Sequence, residues 1–515
     1  MESANDPKKF SILGNYDNKI FWPVAILYGC IIAYAIIDPS GAGATFSSIQ
    51  RFIIAHFSWL ILLTGASAIF FSVWMACSSR FATVKLGAAD EKPEFSFFAW
   101  GSMMFTAGLA ADILFYSFSE WILYASDPHI AELGSIQDWA SVYPIFHWSL
   151  IPWGFYLVLA VAFGFMLHVR KRDRQKYSEA CRPILGKYTD GILGRLIDLL
   201  AVFALLAGTA TTFSLATPLM ASVIGELFHV ELNRTVVTII ILVLTCVVYT
   251  YSLLHGFKGI SFLAKSCIYL FFGLLAYVFL FGGETKYIIE TGFSAIGRVA
   301  QNFFQLATYT DPQRTTSFPQ TWTIFYWAYW MVWCVATPFF IGNISRGRTV
   351  RQTIFGGYLF GCGSTIISFI ILGNYSLGQQ IAGVADYVAM YQKNGDLYSI
   401  IIAIIRTLPC APLILALLFI TMVAFYATSF DSIALIGACY SYHKLGENES
   451  PHKLIELMWC VLLIALPIAL VFSDSSMSNL QSVSIIAAFP IAAVIVLITF
   501  SFLKDAKKYL LETEK

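Results

Sequence analysis

Apolar stretches near 20 residues recur along this whole 515-residue chain, each long enough to cross the hydrocarbon core of a bilayer as a helix. With 58% hydrophobic residues, 12% charged residues and a mean hydropathy of +0.71, the composition excludes a soluble globule. The pattern predicts an all-α membrane protein with 12 transmembrane helices: Ile20–Ile37, Ile53–Cys77, Phe97–Tyr124, Tyr143–Leu167, Leu196–Ile224, Thr235–Leu253, Phe262–Phe281, Trp322–Ile341, Thr353–Leu372, Pro412–Ile436, Ile455–Val471 and Val483–Leu503. Met1–Lys19 is polar and leads into a full-length span, which predicts a retained segment rather than a cleavable signal. Lys504–Lys515 reads as a short tail with no appended soluble domain.

A net charge of +1 hides a strong asymmetry. Connections after even-numbered spans are basic, with Arg80, Lys85 and Lys92, then Arg170, Lys171, Arg172, Arg174 and Lys176, then Arg346, Arg348 and Arg351. Ala125–Val142, after the third span, has no Lys or Arg. The positive-inside rule therefore puts both termini in the cytoplasm of a cell whose inner membrane holds the chain. The Arg346 cluster reads equally as a topology signal or as part of a gate. The 10 cysteines are scattered, without metal-ligand or disulfide spacing, and read as apolar packing residues. No phosphate loop, HExxH, nucleophile elbow or basic nucleic-acid face is present. The expectation is a non-enzyme without cofactor or metal, with the lipid bilayer as partner and no nucleic acid.

Two spans look interrupted. The third holds the small-residue run Thr106-Ala107-Gly108-Leu109-Ala110-Ala111, and the eighth holds Thr337-Pro338, where proline removes a backbone donor. Broken helices at matching positions are a mark of transporters built from inverted repeats. If residues 20–95 form two peripheral helices and their connection, residues 96–283 make a first five-helix repeat. Residues 284–503 then hold a connecting segment and the second repeat. Gln379–Tyr391 is predicted as a helical stretch carrying Asp386, followed by a short apolar segment ending at Arg406, both at the outer surface.

The eighth span is crowded with aromatics: Trp322, Tyr326, Trp327, Tyr329, Trp330 and Trp333. The fourth carries Trp148, Trp153 and Tyr156, whose spacings of three, five and eight bring them toward one sector. Large π-faces on buried helices suit a cation with no hydrogen-bond donors, and a quaternary ammonium group is such a cation. The bland alternative is an interfacial aromatic belt, but Trp330 and Trp333 fall near the middle of their span. Asp112 falls mid-membrane, where an acid must be paired, protonated or next to a wet cavity. Lys265 near the start of the seventh span is a candidate partner, or a snorkelling end residue. Thr428-Ser429-Phe430-Asp431-Ser432 on the tenth span is rich in oxygen and suits a small cation or helix–helix hydrogen bonds. Glu120 and Asp198 lie nearer span ends and read as structural.

With these motifs in view, the chain resembles the betaine/choline/carnitine transporter (BCCT) family along essentially its whole length. The resemblance is sharpest in FPQTWTIFYWAYW (Phe318–Trp330), ISRGRTVR (Ile344–Arg351) and FHWSLIPW (Phe146–Trp153). It implies a five-plus-five inverted repeat of the neurotransmitter:sodium symporter kind, commonly a homotrimer, and alternating-access transport of quaternary ammonium compounds. Trp148, Trp153, Tyr156, Tyr329, Trp330 and Trp333 match the family's central aromatic site, and Trp322 and Tyr326 a peripheral one.

Tyr309-Thr310-Asp311-Pro312 is most similar to the sodium-independent carnitine exchanger, and Lys265 falls where that exchanger has an arginine replacing a sodium ion. Trp333, in contrast, resembles the sodium–betaine symporters, Tyr329 replaces a usual tryptophan, and Thr337 replaces a methionine of the exchanger. Asp112 resembles proton-driven choline carriers, whereas betaine and carnitine carriers have glycine or alanine there. Thr428 and Ser429 match sodium-ligand positions of symporters. The resemblance thus implies carriage of carnitine, betaine or choline by sodium-independent exchange, with proton- or sodium-coupled uptake as the alternative. An amine channel or sensor is the rival of a different class.

Overall fold

The computed structural model describes residues 16–107, 111–255, 257–445, 449–472 and 477–513, with side chains described except at 107, 252–265, 430–432 and 477–479. The small-residue run at 108–110 and the side chains of Lys265, Phe430, Asp431 and Ser432 therefore lie outside the described residues. Among the described residues the chain is helical throughout, with only two isolated backbone bridges. Nine of the described helices are long and apolar enough to cross a membrane, or up to 11 if each of two bent pairs is one span.

Three breaks shape the interior. The third predicted span is two helices, Phe97–Ala107 and Asp112–Ala125. In the eighth, Ile324–Trp333 is followed by Thr337–Ile344, bent away by 51°. Pro338 sits in the first turn of that second half, where its missing N–H is harmless. The carbonyl four residues earlier, on Cys334, loses the partner that a continuous helix would supply. The Tyr177 hydroxyl donates to it instead, at 2.5 Å. The fourth span, expected to be continuous, is interrupted between Val142–His147 and Leu150–Gly164, while Ile136–Val169 as a whole remains one span. Pro152 cannot donate to the Trp148 carbonyl, Ser149 leaves the helical region (φ −115°, ψ −117°), and the Thr365 hydroxyl takes that carbonyl at 2.7 Å.

Around these breaks run the long helices Pro39–Cys77, Ile192–Phe228, Ala411–Tyr440 and Met477–Thr513. Leu150–Gly164 packs against both Pro39–Cys77 and Thr337–Ile344. A Cβ on Gly342 would lie 2.6 Å from the Ala160 carbonyl, so only glycine permits this approach of the two broken spans. The last helix runs on to Thr513, so most of the predicted tail is helical.

The connecting segment holds an element of its own: Thr285–Thr308 is a 24-residue helix turned 113° from the span before it. Its buried Ile288, Thr291, Gly292, Ala295 and Val299 recur at helical spacing, with Lys286, Glu290 and Arg298 on other faces. One prediction needs correction, because the stretch Gln379–Tyr391 is not one helix. Gln379 belongs to the end of the Val350–Ile381 span, Gly383 turns the chain at φ +72°, and Asp386 caps a new helix, Tyr387–Asn394, by accepting from the Ala389 amide at 2.9 Å.

The Arg346 cluster stitches two connections together. Backbone bonds link Leu86 to Arg348 (2.8 Å), Gly347 to Leu86 (2.7 Å) and Val350 to Val84 (2.9 Å). Arg346 pairs with Glu91, whose carboxyl is held below its usual range first by the Ala88 amide and then by that guanidinium. Arg348 lies 4.0 Å from the centre of the Trp100 ring and donates to the Phe95 carbonyl at 2.8 Å, while Arg351 donates to the Ala76 carbonyl at 3.0 Å. We expect Arg348→Ala to cost about 1–3 kcal/mol through lost cation–π and hydrogen-bond contacts. The purified protein should then melt at a lower temperature in detergent, with Arg348→Lys falling in between.

Candidate functional site

The two broken aromatic spans meet at their breaks. Trp148, at the end of Val142–His147, lies edge to face with Trp330, ring centroids 5.5 Å apart. Trp330 also meets Tyr156 (4.9 Å) and Trp153 (6.0 Å), and Trp153 meets Tyr156 (5.6 Å). These four rings are all buried, and Tyr116, Tyr326 and Phe369 close around Trp148 at 5.3, 5.8 and 5.2 Å. Gly361 allows the Trp153 indole to lie against its backbone, since a Cβ there would come within 2.1 Å of the ring. Two indole N–H groups, of Trp153 and Trp330, and the Tyr116 hydroxyl are buried with no partner among the described residues. Unpaired donors in such an apolar wall are costly unless something else meets them. A cation set against this cluster reaches several π-faces at once.

Tyr329 and Trp333 stand apart from that cluster. The Tyr329 ring stacks on Phe325 (5.5 Å), and its hydroxyl bonds both to the Asp112 carboxylate and to Thr212 on Ile192–Phe228. Asp112 is buried at the first residue of its half-helix, where a carboxylate interacts favourably with the helix N-terminus. Trp333 is half-buried, its indole nitrogen 3.5 Å from where a Cβ on Gly208 would stand. Trp322 and Tyr326 also separate. Trp322 donates to Asp127 (3.0 Å) and meets Tyr124 edge to face, whereas Tyr326 is fully buried between His147, Tyr116 and Trp148.

Glu120, expected to be a structural residue near a span end, lies at the centre of the site. It is fully buried, accepts from the Trp148 indole N–H at 2.6 Å, and receives the Tyr124 hydroxyl. That hydroxyl lies 2.6 Å from His147 Nδ1, and His147 Nε2 lies 3.0 Å from the Thr323 hydroxyl. A chain of polar groups thus fixes the Trp148 ring from behind. The missed signal was periodicity: Asp112, Tyr116, Glu120 and Tyr124 recur every four residues, which is one face of a helix.

At the proposed ion position, the Thr428 hydroxyl donates back to the Ala424 and Phe425 carbonyls (3.1 and 3.0 Å) and lies 3.8 Å from Cys267 Sγ. Ser429 is buried beside it. Among the described residues no three His, Cys, Asp or Glu side chains cluster as a metal site would require.

A broken-helix membrane bundle with a buried aromatic cage is the architecture of a small-molecule carrier. Residues 19–510 match BCCT, the betaine/carnitine/choline family of transporters, and the chain belongs to that family. It is accordingly a transporter and not an enzyme, and a multi-pass protein of the cell membrane. It is 30% identical over 511 residues to the glycine betaine transporter OpuD of Bacillus subtilis (strain 168), covering 97% of this chain and 96% of that one. It is 29% identical over 506 residues to the betaine/ectoine transporter LcoP of Corynebacterium glutamicum, with 95% and 78% covered. A solved Na+-coupled sialic acid symporter, substrate-bound and outward-open, overlaps 87% of this chain and 86% of its own at 14% identity. Its TM-score of 0.38 is too low to bear on the fold.

Replacing Glu120 by Leu strips partners from Trp148 and Tyr124, and a buried polar group left alone costs ~1–3 kcal/mol. We expect Glu120→Leu to weaken binding of a quaternary ammonium compound about tenfold or more, read by tryptophan fluorescence. Glu120→Gln keeps an acceptor for the indole and should lose much less.

Proposed function

We propose that this transporter carries a trimethylammonium compound of the carnitine, betaine or choline type, by alternating access and in sodium-independent exchange. The observation that carries this reading is the convergence of Trp148, Trp153, Tyr156 and Trp330, with two unpaired indole N–H groups among them. Each desolvated cation–π contact contributes ~2 kcal/mol or more. Two or three of them, less the costs of binding, suit a micromolar-to-millimolar substrate. Tyr329 and Trp333 line the approach to the cage, Trp322 holds a peripheral position, and Tyr326 backs the Trp148 ring of the cage itself. The names of the relatives, a glycine betaine and a betaine/ectoine transporter, agree with this chemical class.

In this reading twelve spans cross the membrane with both termini in the cytoplasm, residues 96–283 and 284–503 are the two inverted repeats, and the chain works as a homotrimer. Rocking of one repeat against the other exposes the cage to each side in turn. Lys265 supplies the positive charge that sodium supplies elsewhere, while Thr428 and Ser429 match sodium-ligand positions of symporters. A second reading, proton coupling, is favoured by one observation: Asp112, Tyr329 and Thr212 form a buried hydroxyl–carboxylate chain. An ionised Asp112 attracts choline and repels the carboxylate of betaine, and a proton on it removes that repulsion.

Counterflow of labelled carnitine, betaine and choline in proteoliposomes tests both. Exchange without sodium is expected for at least one of them, with Trp330→Leu abolishing it. Strict sodium dependence overturns the role of Lys265. If protons are coupled, Asp112→Asn makes betaine counterflow insensitive to a pH gradient and weakens choline uptake. Unchanged transport of every substrate by that variant removes Asp112 from coupling.

A further inference from the structure

The Val350–Ile381 span meets the cage from behind at three positions, each four residues after the last. Gly361 lies against the Trp153 indole, the Thr365 hydroxyl meets the Trp148 carbonyl, and the Phe369 ring lies 5.2 Å from the Trp148 ring. Spacing of this kind puts all three on one side of a helix. Turns of π-helix, Gly357–Cys362 and Phe369–Gly373, stand on both sides of Thr365. Such turns are rare and concentrate at functional sites.

Trp148 has three polar groups, and each has its own anchor. Its backbone N–H donates to the Pro144 carbonyl (3.1 Å), its indole N–H to Glu120 (2.6 Å), and its carbonyl accepts from Thr365 (2.7 Å). The first bond lies within its own half-helix, whereas the other two come from distant segments and set the ring and the peptide plane. Pro152 has no N–H, so the helix that follows offers no donor at the usual position four residues on.

The Thr365 hydroxyl has one hydrogen and two acceptors, the Trp148 carbonyl at 2.7 Å and the Cys362 carbonyl of its own helix at 2.8 Å. Helical threonines ordinarily donate back along their own helix, so the bond across to Trp148 is one that the ninth span does not itself require. Ser368 ties the two distant anchors together. Its hydroxyl donates to the Thr365 carbonyl (2.8 Å) and accepts from Ser117 (3.1 Å), which shares its half-helix with Glu120. Thr365, Ser368 and Ser117 are all buried.

We propose that Thr365 is a positioning residue for substrate binding: its hydroxyl fixes the Trp148–Ser149 peptide, and through it the angle at which the Trp148 ring faces a bound quaternary ammonium group. The proposal rests on the central cage being the substrate site. Cation–π attraction requires the cation to stand over the ring face. A peptide plane free to turn spreads the ring over several orientations, of which one serves the substrate. Thr365 thus raises affinity without touching the substrate.

The test is counterflow of labelled carnitine, betaine and choline by the full-length protein in proteoliposomes, comparing wild type with Thr365→Val, which keeps the shape and removes the hydroxyl. For a compound that wild type exchanges, the half-saturating concentration is expected to rise about five- to tenfold, with the maximal rate per folded carrier kept. Thr365→Ser restores a hydroxyl and should bring the half-saturating concentration back. A merely structural threonine would lower the yield of folded carrier and leave its half-saturating concentration unchanged, and that result overturns the proposal. Equal weakening by Thr365→Val and Thr365→Ser overturns it too. Loss of counterflow in Trp330→Leu beside a wild-type half-saturating concentration in Thr365→Val overturns this proposal alone. Counterflow kept in Trp330→Leu, or exchange of none of the three compounds by wild type, overturns the cage reading and this proposal with it. If Thr365→Val does not fold, Thr365→Cys, with its weaker S–H donor, decides: a raised half-saturating concentration supports the proposal and an unchanged one overturns it.

Discussion

In a bilayer no water stands ready to satisfy a backbone carbonyl, and this constraint governs the centre of the molecule. Pro152 and Pro338 each leave unbonded the carbonyl four residues earlier, on Trp148 and on Cys334. Each carbonyl is met by a hydroxyl from a distant segment, Thr365 and Tyr177. The breaks are therefore specified positions, locked by partners that the rest of the bundle must deliver. Trp148 sits at one break and Trp330 one turn before the other, so the cage exists because the helices stop where they do.

Polar chains then connect the breaks to one another. Tyr329 joins the half-helix beginning at Asp112 to Ile192–Phe228 through Asp112 and Thr212. On the other side of Trp148, Glu120, Tyr124, His147 and Thr323 link the same half-helix to the start of the eighth span. Networks of this kind hold aromatic rings in one geometry, because each member that moved would strand another in a medium of low dielectric. The aromatic wall is thus rigid and preorganised, and preorganisation reduces what binding must spend on ordering side chains.

The two ends of the bundle are held differently. At the basic end, backbone pairing, a buried Arg348 over Trp100 and the Arg346–Glu91 pair make a closely stitched seam. At the opposite end, Arg234–Asp396 and Arg406–Glu226 are ion pairs at the surface, the Arg234 pair beside a cavity. Exposed pairs of this sort contribute little and exchange partners easily.

The sequence by itself determined the class and the raw materials. Hydropathy alone called for a helical membrane bundle, Pro338 marked the break of the eighth span, and aromatic spacing pointed to a cage. Those signals are local, because helix formation and burial in lipid depend on residues within a few turns of one another. The break at Ser149 shows only with its partners known, whereas the helix Thr285–Thr308 and the place of Glu120 were already written in helical spacing. Tyr329 shows the limit most plainly: its neighbours in sequence suggest a cage wall, but its hydroxyl is committed to Asp112 and Thr212. Which face of a fully apolar helix meets which neighbour leaves no trace in hydropathy when every face is buried. Only packing in three dimensions decided that.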